Sequence, residues 1–240
     1  TVFPVLLMFI GGTGASVGRR FKQLVKQRGL ERYVRILVFD TDHSEKGPRG
    51  RYPGFSDREF VHLPMDRVTD ILKAPERHQL IAERFDLFDA ENRNMLSRIA
   101  GRGLRQAGQN RQLGAMAYYA NLHVVQKAIR DAAVDLNRRW GQLAQELQQD
   151  IEVAVQDRFY IATCGSLAGG TGSSILMDLS VEAHSVVAVN RVPEINAFLT
   201  LPNVYESVLQ GKKDELQRVY GNAYATIQEI DALMTSDWAQ

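Results

Sequence analysis

Two hydrophobic rhythms alternate along this chain. Short apolar runs at Val5–Ile10 (V-L-L-M-F-I), 34–39 (V-R-I-L-V-F), 158–163 (R-F-Y-I-A-T) and 195–201 (I-N-A-F-L-T-L) have the length of strands buried on both faces. Between them, apolar positions step by three or four, the spacing of helices with one buried side. Segment 16–27 sets Val17, Phe21, Leu24 and Val25 on one face, with Gly29 as its stop. Segments 65–73 and 77–85 read as short helices around Pro75. Segment 115–149 has no proline and only Gly141. Its positions Leu122, Val125, Ile129, Ala132, Leu136, Trp140, Leu143 and Leu147 predict one long amphipathic helix. Further helices are expected over 175–183 and 213–234, the latter with Gly221 as a candidate break. Segment 43–60, rich in Gly, Pro and charge, and segment 101–114, rich in Gly, Gln and Arg, read as loops.

Strands alternating with helices predict an α/β fold: a Rossmann-like, mostly parallel sheet with helices on both faces. Ligand sites in such folds lie at the C-terminal ends of strands. No linker, repeat or low-complexity stretch divides residues 1–240, so one domain is expected. With 45% hydrophobic and 24% charged residues, the composition is that of an ordinary globular protein. The 29 basic and 28 acidic residues leave a net charge of +1, which argues against nucleic-acid backbone as the main partner. One cysteine, Cys164, excludes an intramolecular disulfide and a Cys-rich zinc site, and fits a reducing cytoplasm. The five histidines show no ligand spacing, so no side chain is assigned to a metal. No apolar stretch reaches the roughly 18–20 residues of a membrane span, and residues 5–10 are too short for a signal-peptide core. A first residue Thr1 is what a trimmed chain or fragment shows.

The chemistry concentrates in two glycine-rich strand-to-helix junctions. The first is Gly11-Gly12-Thr13-Gly14-Ala15-Ser16; the second runs from Gly165 and Ser166 through Gly169-Gly170-Thr171-Gly172-Ser173 to Ser174. Glycine lets backbone N–H groups approach a ligand, the following helix adds its positive end, and the hydroxyls add donors. Such cups suit phosphate oxygens. Neither junction carries the lysine of a Walker-A loop. The first is also one residue off the dinucleotide fingerprint G-x-G-x-x-G, with Asp40 ending the next strand, which keeps an NAD-binding Rossmann oxidoreductase open as an alternative.

The segment Ala168-Gly169-Gly170-Thr171-Gly172-Ser173-Ser174 resembles the tubulin/FtsZ signature [SAG]-G-G-T-G-[SA]-G, with Ser174 in place of the last glycine. Gly11-x-x-Gly14-x-x-x-Gly18 is similar to the first nucleotide loop of tubulins, with Gly12 where they carry Gln and Ala15 where the family has Asn. Phe39-Asp40-Thr41-Asp42 resembles the strand end N-T-D of FtsZ. Gly108-Gln109-Asn110-Arg111 stands where the family senses the γ-phosphate, and Thr200-x-Pro202-x-x-Tyr205-Glu206 is similar to T-x-P-F-x-F-E. The matches run in family order over roughly residues 4–234 and are most similar to the divergent bacterial tubulin-like group, in which Asn222 to Ala225 (N-A-Y-A) also has a counterpart.

This resemblance implies GTP or GDP binding with Mg²⁺. Gly11, Gly12, Thr13, Gly14 and Ser16 would meet phosphate together with Gly165, Ser166, Gly169, Gly170, Thr171, Gly172 and Ser173. Gly108, Gln109 and Arg111 would reach the γ-phosphate, with Thr41 and Asp42 near the phosphate or its metal. Glu206 would contact ribose and Asn222 the base, while Asp40 reads as a strand-end cap. The family hydrolyses GTP in head-to-tail filaments, where an acidic N-x-D-x-x-D-like loop from the next subunit completes the site. No such loop occurs in these 240 residues, so the expectation is a nucleotide-binding domain without the central helix and C-terminal domain. A nucleotide-dependent binding or regulatory module without turnover stands beside the GTPase reading.

Overall fold

The computed structural model describes residues 3–101, 107–149, 158–188 and 192–235. Five parallel strands form one sheet in the order β3-β2-β1-β4-β5: β1 (Val5–Ile10), β2 (Val34–Asp40), β3 (Phe60–His62), β4 (Arg158–Ser166) and β5 (Val192–Thr200). Alternate residues of β1 feed two cores. Leu7 and Phe9 pack with Ile36, Val38, Ala15 and Phe55 on the face covered by α1 (Gly11–Gln27). Leu6, Met8 and Ile10 face the opposite side. There they meet α2 (Asp66–Lys73), α3 (Gln79–Arg84), α4 (Ala90–Ala100), α5 (Arg111–Ala120), α6 (Leu122–Gln149) and α7 (Gly170–Ala188). A last helix, α8 (Lys213–Thr235), packs on α7 and runs unbroken through Gly221. The α/β sheet with helices on both faces is therefore as expected. No helix among the described residues is long and apolar enough to cross a membrane.

Three local departures have physical causes. Strand β3 lies at the end of what reads as loop, because three residues paired to an edge leave no periodic signal. The expected single helix over 115–149 starts earlier, at Arg111, and is split at Asn121. The Asn121 side chain is buried and donates to the Ala117 carbonyl at 2.8 Å, ending α5, while its own carbonyl accepts from Val124 and Val125 to start α6. Residues 102–106 of the expected loop lie outside the described residues, as does the side chain of Leu147. Helix α1 also turns a different side inward: Ala15, Gly18, Arg19 and Val25 are buried while Phe21 and Leu24 are exposed. Small residues let that helix press onto Phe9, so the large ones of the expected stripe are displaced outward.

The chain builds outward from β1 to β3, then returns to the other side of β1 to lay down β4 and β5. That reversal between β1 and β4 is the topological switch point at which open α/β sheets bind ligands.

Candidate functional site

At the switch point, the first glycine junction opens α1 at Gly11, and the second passes from the end of β4 through a bend at 167–169 into α7 at Gly170. Glycine has poor helix propensity, so the reason for both helix starts is tertiary. Gly11 sits at φ +70, and a Cβ there would lie 3.2 Å from the Gly172 nitrogen. A Cβ on Gly170 would lie 2.4 Å from the Gly108 carbonyl oxygen and 2.9 Å from the Asn110 nitrogen. Two helix starts and the turn at 108–110 thus touch through backbone alone.

The first N–H groups of a helix have no intrahelical acceptor. Helix α1 has no side-chain cap, and among the described residues no side chain or loop carbonyl accepts the N–H groups of Gly11, Gly12 and Thr13. Of the first turn of α7, the Gly170 N–H goes to the Gly108 carbonyl at 2.9 Å, and among the described residues no side chain or loop carbonyl accepts those of Thr171 and Gly172. Both sets open onto one cleft lined by Ile10, Gly11, Gly12, Thr13, Asp40, Glu45, Gly108, Ser166, Gly169, Gly170, Thr171 and Gly172. Two helix dipoles and several unspent donors favour an anion there.

Hydroxyls hold the walls. Thr41 and Thr171 meet at 3.0 Å through their Oγ1 atoms, and Thr41 also accepts from the Ala107 N–H. Tyr205 donates its OH to Ser166 Oγ at 2.9 Å, so at their 2.5 Å contact Thr13 is the donor to Tyr205. Ser166 Oγ accepts the Ala168 N–H as well, which leaves the Ser166 proton for the cleft. Ser16 and Ser173 bond back to the carbonyls of Gly12 and Gly169. Gly14 and Gly165 pack behind the cleft, against Cys164 and Ile10 respectively.

Five other expected contact residues do not line this cleft. Arg111 donates to the Ser173 carbonyl at 2.9 Å and pairs with Glu229 at 2.5 Å, joining α7 to α8. Asn222 gives its amide to the carbonyls of Gln109 and Ala168, at 3.0 and 2.9 Å, and so ties the two turns together. Gln109 has its Oε1 buried without a partner. Asp42 caps the turn at His43–Lys46 through the Ser44 N–H. Glu206 is exposed and accepts from Tyr220.

The cleft also contains acids that the sequence reading did not place there. Asp40 is 3% exposed; burial, and secondarily the charges of Glu45 and Asp42, push its pKa from 3.8 to about 7 against the pull of the Asp42 N–H. Its Oδ2 has no hydrogen-bond partner. Glu45 sits between Arg19, at 3.1 Å, and Arg49. Its carboxylate lies 3.2 Å from where a Cβ on Gly12 would be. Glu45 comes from a charged loop with no periodic signal, whereas Tyr205 was visible inside the T-x-P-x-x-Y-E stretch without a role.

An acid whose pKa is raised by folding stabilises the fold below the unfolded value of 3.8 and ceases to do so as pH rises through about 7. Asp40→Asn is therefore expected to raise the melting temperature at pH 8 and to change it little near pH 4. The gain at pH 8 is bounded at about 4 kcal/mol. Thermal melts of both proteins across pH 4–8 check this; a difference that is the same at every pH would refute it.

The family model described as "Tubulin like" matches residues 6–239. No curated protein matches the sequence. Among solved structures, CetZ1 from Haloferax volcanii, a GDP-bound monomer, aligns with a TM-score of 0.50 at 14% identity, covering 94% of this chain and 47% of that one. CetZ2 from Haloferax volcanii, a GTPγS-bound protofilament, aligns at 0.36 and 12% identity, covering 99% and 61%. CetZ from Methanosaeta thermophila strain DSM 6194 aligns at 0.35 and 11%, covering 98% and 56%. The chain spans less than two thirds of each of these structures. At this identity the CetZ1 likeness shows the fold.

Proposed function

This chain belongs to the tubulin-like family, and on that premise we propose that it binds a guanine nucleotide by its phosphates at the β1–β4 switch point. The observation that carries this reading is the convergence of two helix N-termini with unspent N–H groups on one cleft. Gly169 supports it: nothing lies within 4 Å of where its Cβ would be, so a ligand can approach the backbone there. The Ser166 hydroxyl adds a donor.

The cleft fits a divalent cation accompanying the phosphates. Asp40 offers an unpartnered oxygen, and Glu45 on the same wall would add a second carboxylate on release of Arg19 or Arg49. Mg²⁺ is commonly held by one or two carboxylates plus substrate phosphates, where it neutralises charge on the phosphate oxygens. Binding it would draw the proton from Asp40.

Hydrolysis of GTP, by in-line attack of water on the γ-phosphate, belongs to the same proposal. It would rest on positioning and electrostatics rather than covalent chemistry. Residues from an adjoining subunit in a head-to-tail assembly would complete the site. The engagement of Arg111 by Glu229 and the Ser173 carbonyl favours a second reading for this domain by itself: nucleotide binding with negligible turnover.

The test is the nucleotide carried through purification. Protein denatured after gel filtration should release GDP or GTP, identified by mass spectrometry. Release of adenine nucleotide, or failure of Mg²⁺–GTP to raise the melting temperature of nucleotide-free protein, counts against the reading. Phosphate release that rises more steeply than protein concentration would separate assembly-dependent turnover from binding alone.

A further inference from the structure

Part of the sheet edge has no partner. Strand β3 pairs with β2 only at Val38, Phe39 and Asp40, so among the described residues Val34, Arg35, Ile36 and Leu37 have β1 on one side and no strand on the other. The turn before β3 cuts it short. Ser56 bonds the Glu59 carboxylate through its N–H at 2.7 Å and its hydroxyl at 2.8 Å, and the N–H groups of Glu59 and Phe60 turn back to the Ser56 carbonyl. Lys22 holds the same carboxylate from α1 at 2.6 Å.

Successive residues of a ladder turn their N–H and C=O groups to opposite neighbours. The Val5 N–H bonds the Tyr33 carbonyl, and the Val38 N–H bonds the Glu59 carbonyl. Odd-numbered residues of β2 therefore face β1, and the N–H and C=O groups of Val34 and Ile36 face the open edge. No described residue bonds to them there. Ile36 is buried in the core under α1, and its open backbone edge borders a groove of about 1160 Å³ lined by residues of α1 and α6. Helix α6 presents Ala128 and Ala132, leaving room for larger side chains, and α1 presents Val25 and Lys26. Among the described residues Lys26, Arg58 and a single acid, Glu31, line the groove without an ion-pair partner, whereas Glu59, Asp131 and Asp135 are already paired.

We propose that this recessed edge takes up an extended segment of another polypeptide as an added strand, apolar toward Ala128 and Ala132 and acidic where it meets Lys26 and Arg58. The open stretch, about 13 Å at the rise of a strand, accepts four or five residues. Backbone bonds to Val34 and Ile36 supply the pairing, and alternate side chains supply the selectivity.

The experiment is amide hydrogen exchange by NMR on the protein with and without the peptide acetyl-Val-Glu-Val-Glu-Val-amide. In the free protein the Val34 and Ile36 amides should exchange at least tenfold faster than those of Arg35 and Leu37, which bond to β1. Saturating peptide should slow them tenfold or more. The same peptide with proline at its centre should not, and Lys26→Glu, an exposed change, should weaken binding several-fold. If Val34 and Ile36 are as protected as Leu37 in the free protein, a segment of this chain already fills the groove and the proposal falls. It falls equally if peptide leaves their exchange unchanged, or if the proline peptide works as well.

Discussion

Replacing Arg19 with methionine is expected to lower the unfolding free energy by about 3–5 kcal/mol, the cost of stranding one member of a buried ion pair. Arg19 is 1% exposed, and its guanidinium joins three pieces of chain. It donates to the Gly47 carbonyl at 3.0 Å, to the Glu45 carbonyl and to the Glu45 carboxylate, and it lies 5.2 Å from the centre of the Phe55 ring. Without it, Glu45 keeps only Arg49, which is 55% exposed and so screened by water. The turn at His43–Lys46 then loses its anchor to α1, and with it the placement of Glu45 in the cleft. Denaturant unfolding measures the loss, with a melting-temperature drop on the order of 10 °C. The double variant Arg19→Met with Glu45→Gln should recover a substantial part, since the stranded charge is gone. A single variant as stable as the parent would show that the pair is not closed in solution.

Gly170→Ala is expected to abolish nucleotide binding at concentrations that saturate the parent protein, and to cost about 2–3 kcal/mol of stability, as overpacking of a fixed backbone does. The added methyl would lie 2.4 Å from the Gly108 oxygen and 2.9 and 3.0 Å from the Asn110 nitrogen and oxygen. These are main-chain atoms without a rotamer to yield, so the start of α7 must part from the 108–110 turn. The 2.9 Å bond from the Gly170 N–H to the Gly108 carbonyl is lost in the same movement. Gly169→Ala is the control, because its methyl meets nothing within 4 Å in the protein. It should melt where the parent does while weakening a ligand seated against that backbone. Titration with a fluorescent GTP analogue, run beside thermal melts, separates the two effects. Full nucleotide affinity in Gly170→Ala would remove the backbone contact from the site.

The apolar run of β1, the two glycine-rich strand-to-helix junctions and the α/β class are legible from local pattern, because burial on both faces and glycine before a helix act within a few residues of chain. The order of the T-G-S and T-x-P-x-x-Y-E stretches also points to the tubulin-like family, to which the chain belongs. What local pattern does not carry is anything set by distant contacts. The break at Asn121 depends on one buried amide, and the helical state of Gly11 and Gly170 depends on each meeting another backbone. Glu45 enters the cleft only because Arg19, on another element, holds its turn.

Arg111 and Asn222 make the same point from the opposite side. Both stand at positions where the family resemblance implies ligand contact, yet Arg111 is bonded to Glu229 and the Ser173 carbonyl, and Asn222 to the two turns it joins. Short-range backbone preference and burial period are written into neighbouring residues, so the chain alone determines where strands end and glycine-rich junctions arise. Which donor is free, which acid is buried and which sheet edge stays open follow from partners tens of residues away. Those were decided by the packing of α1, α6, α7 and α8 around the sheet.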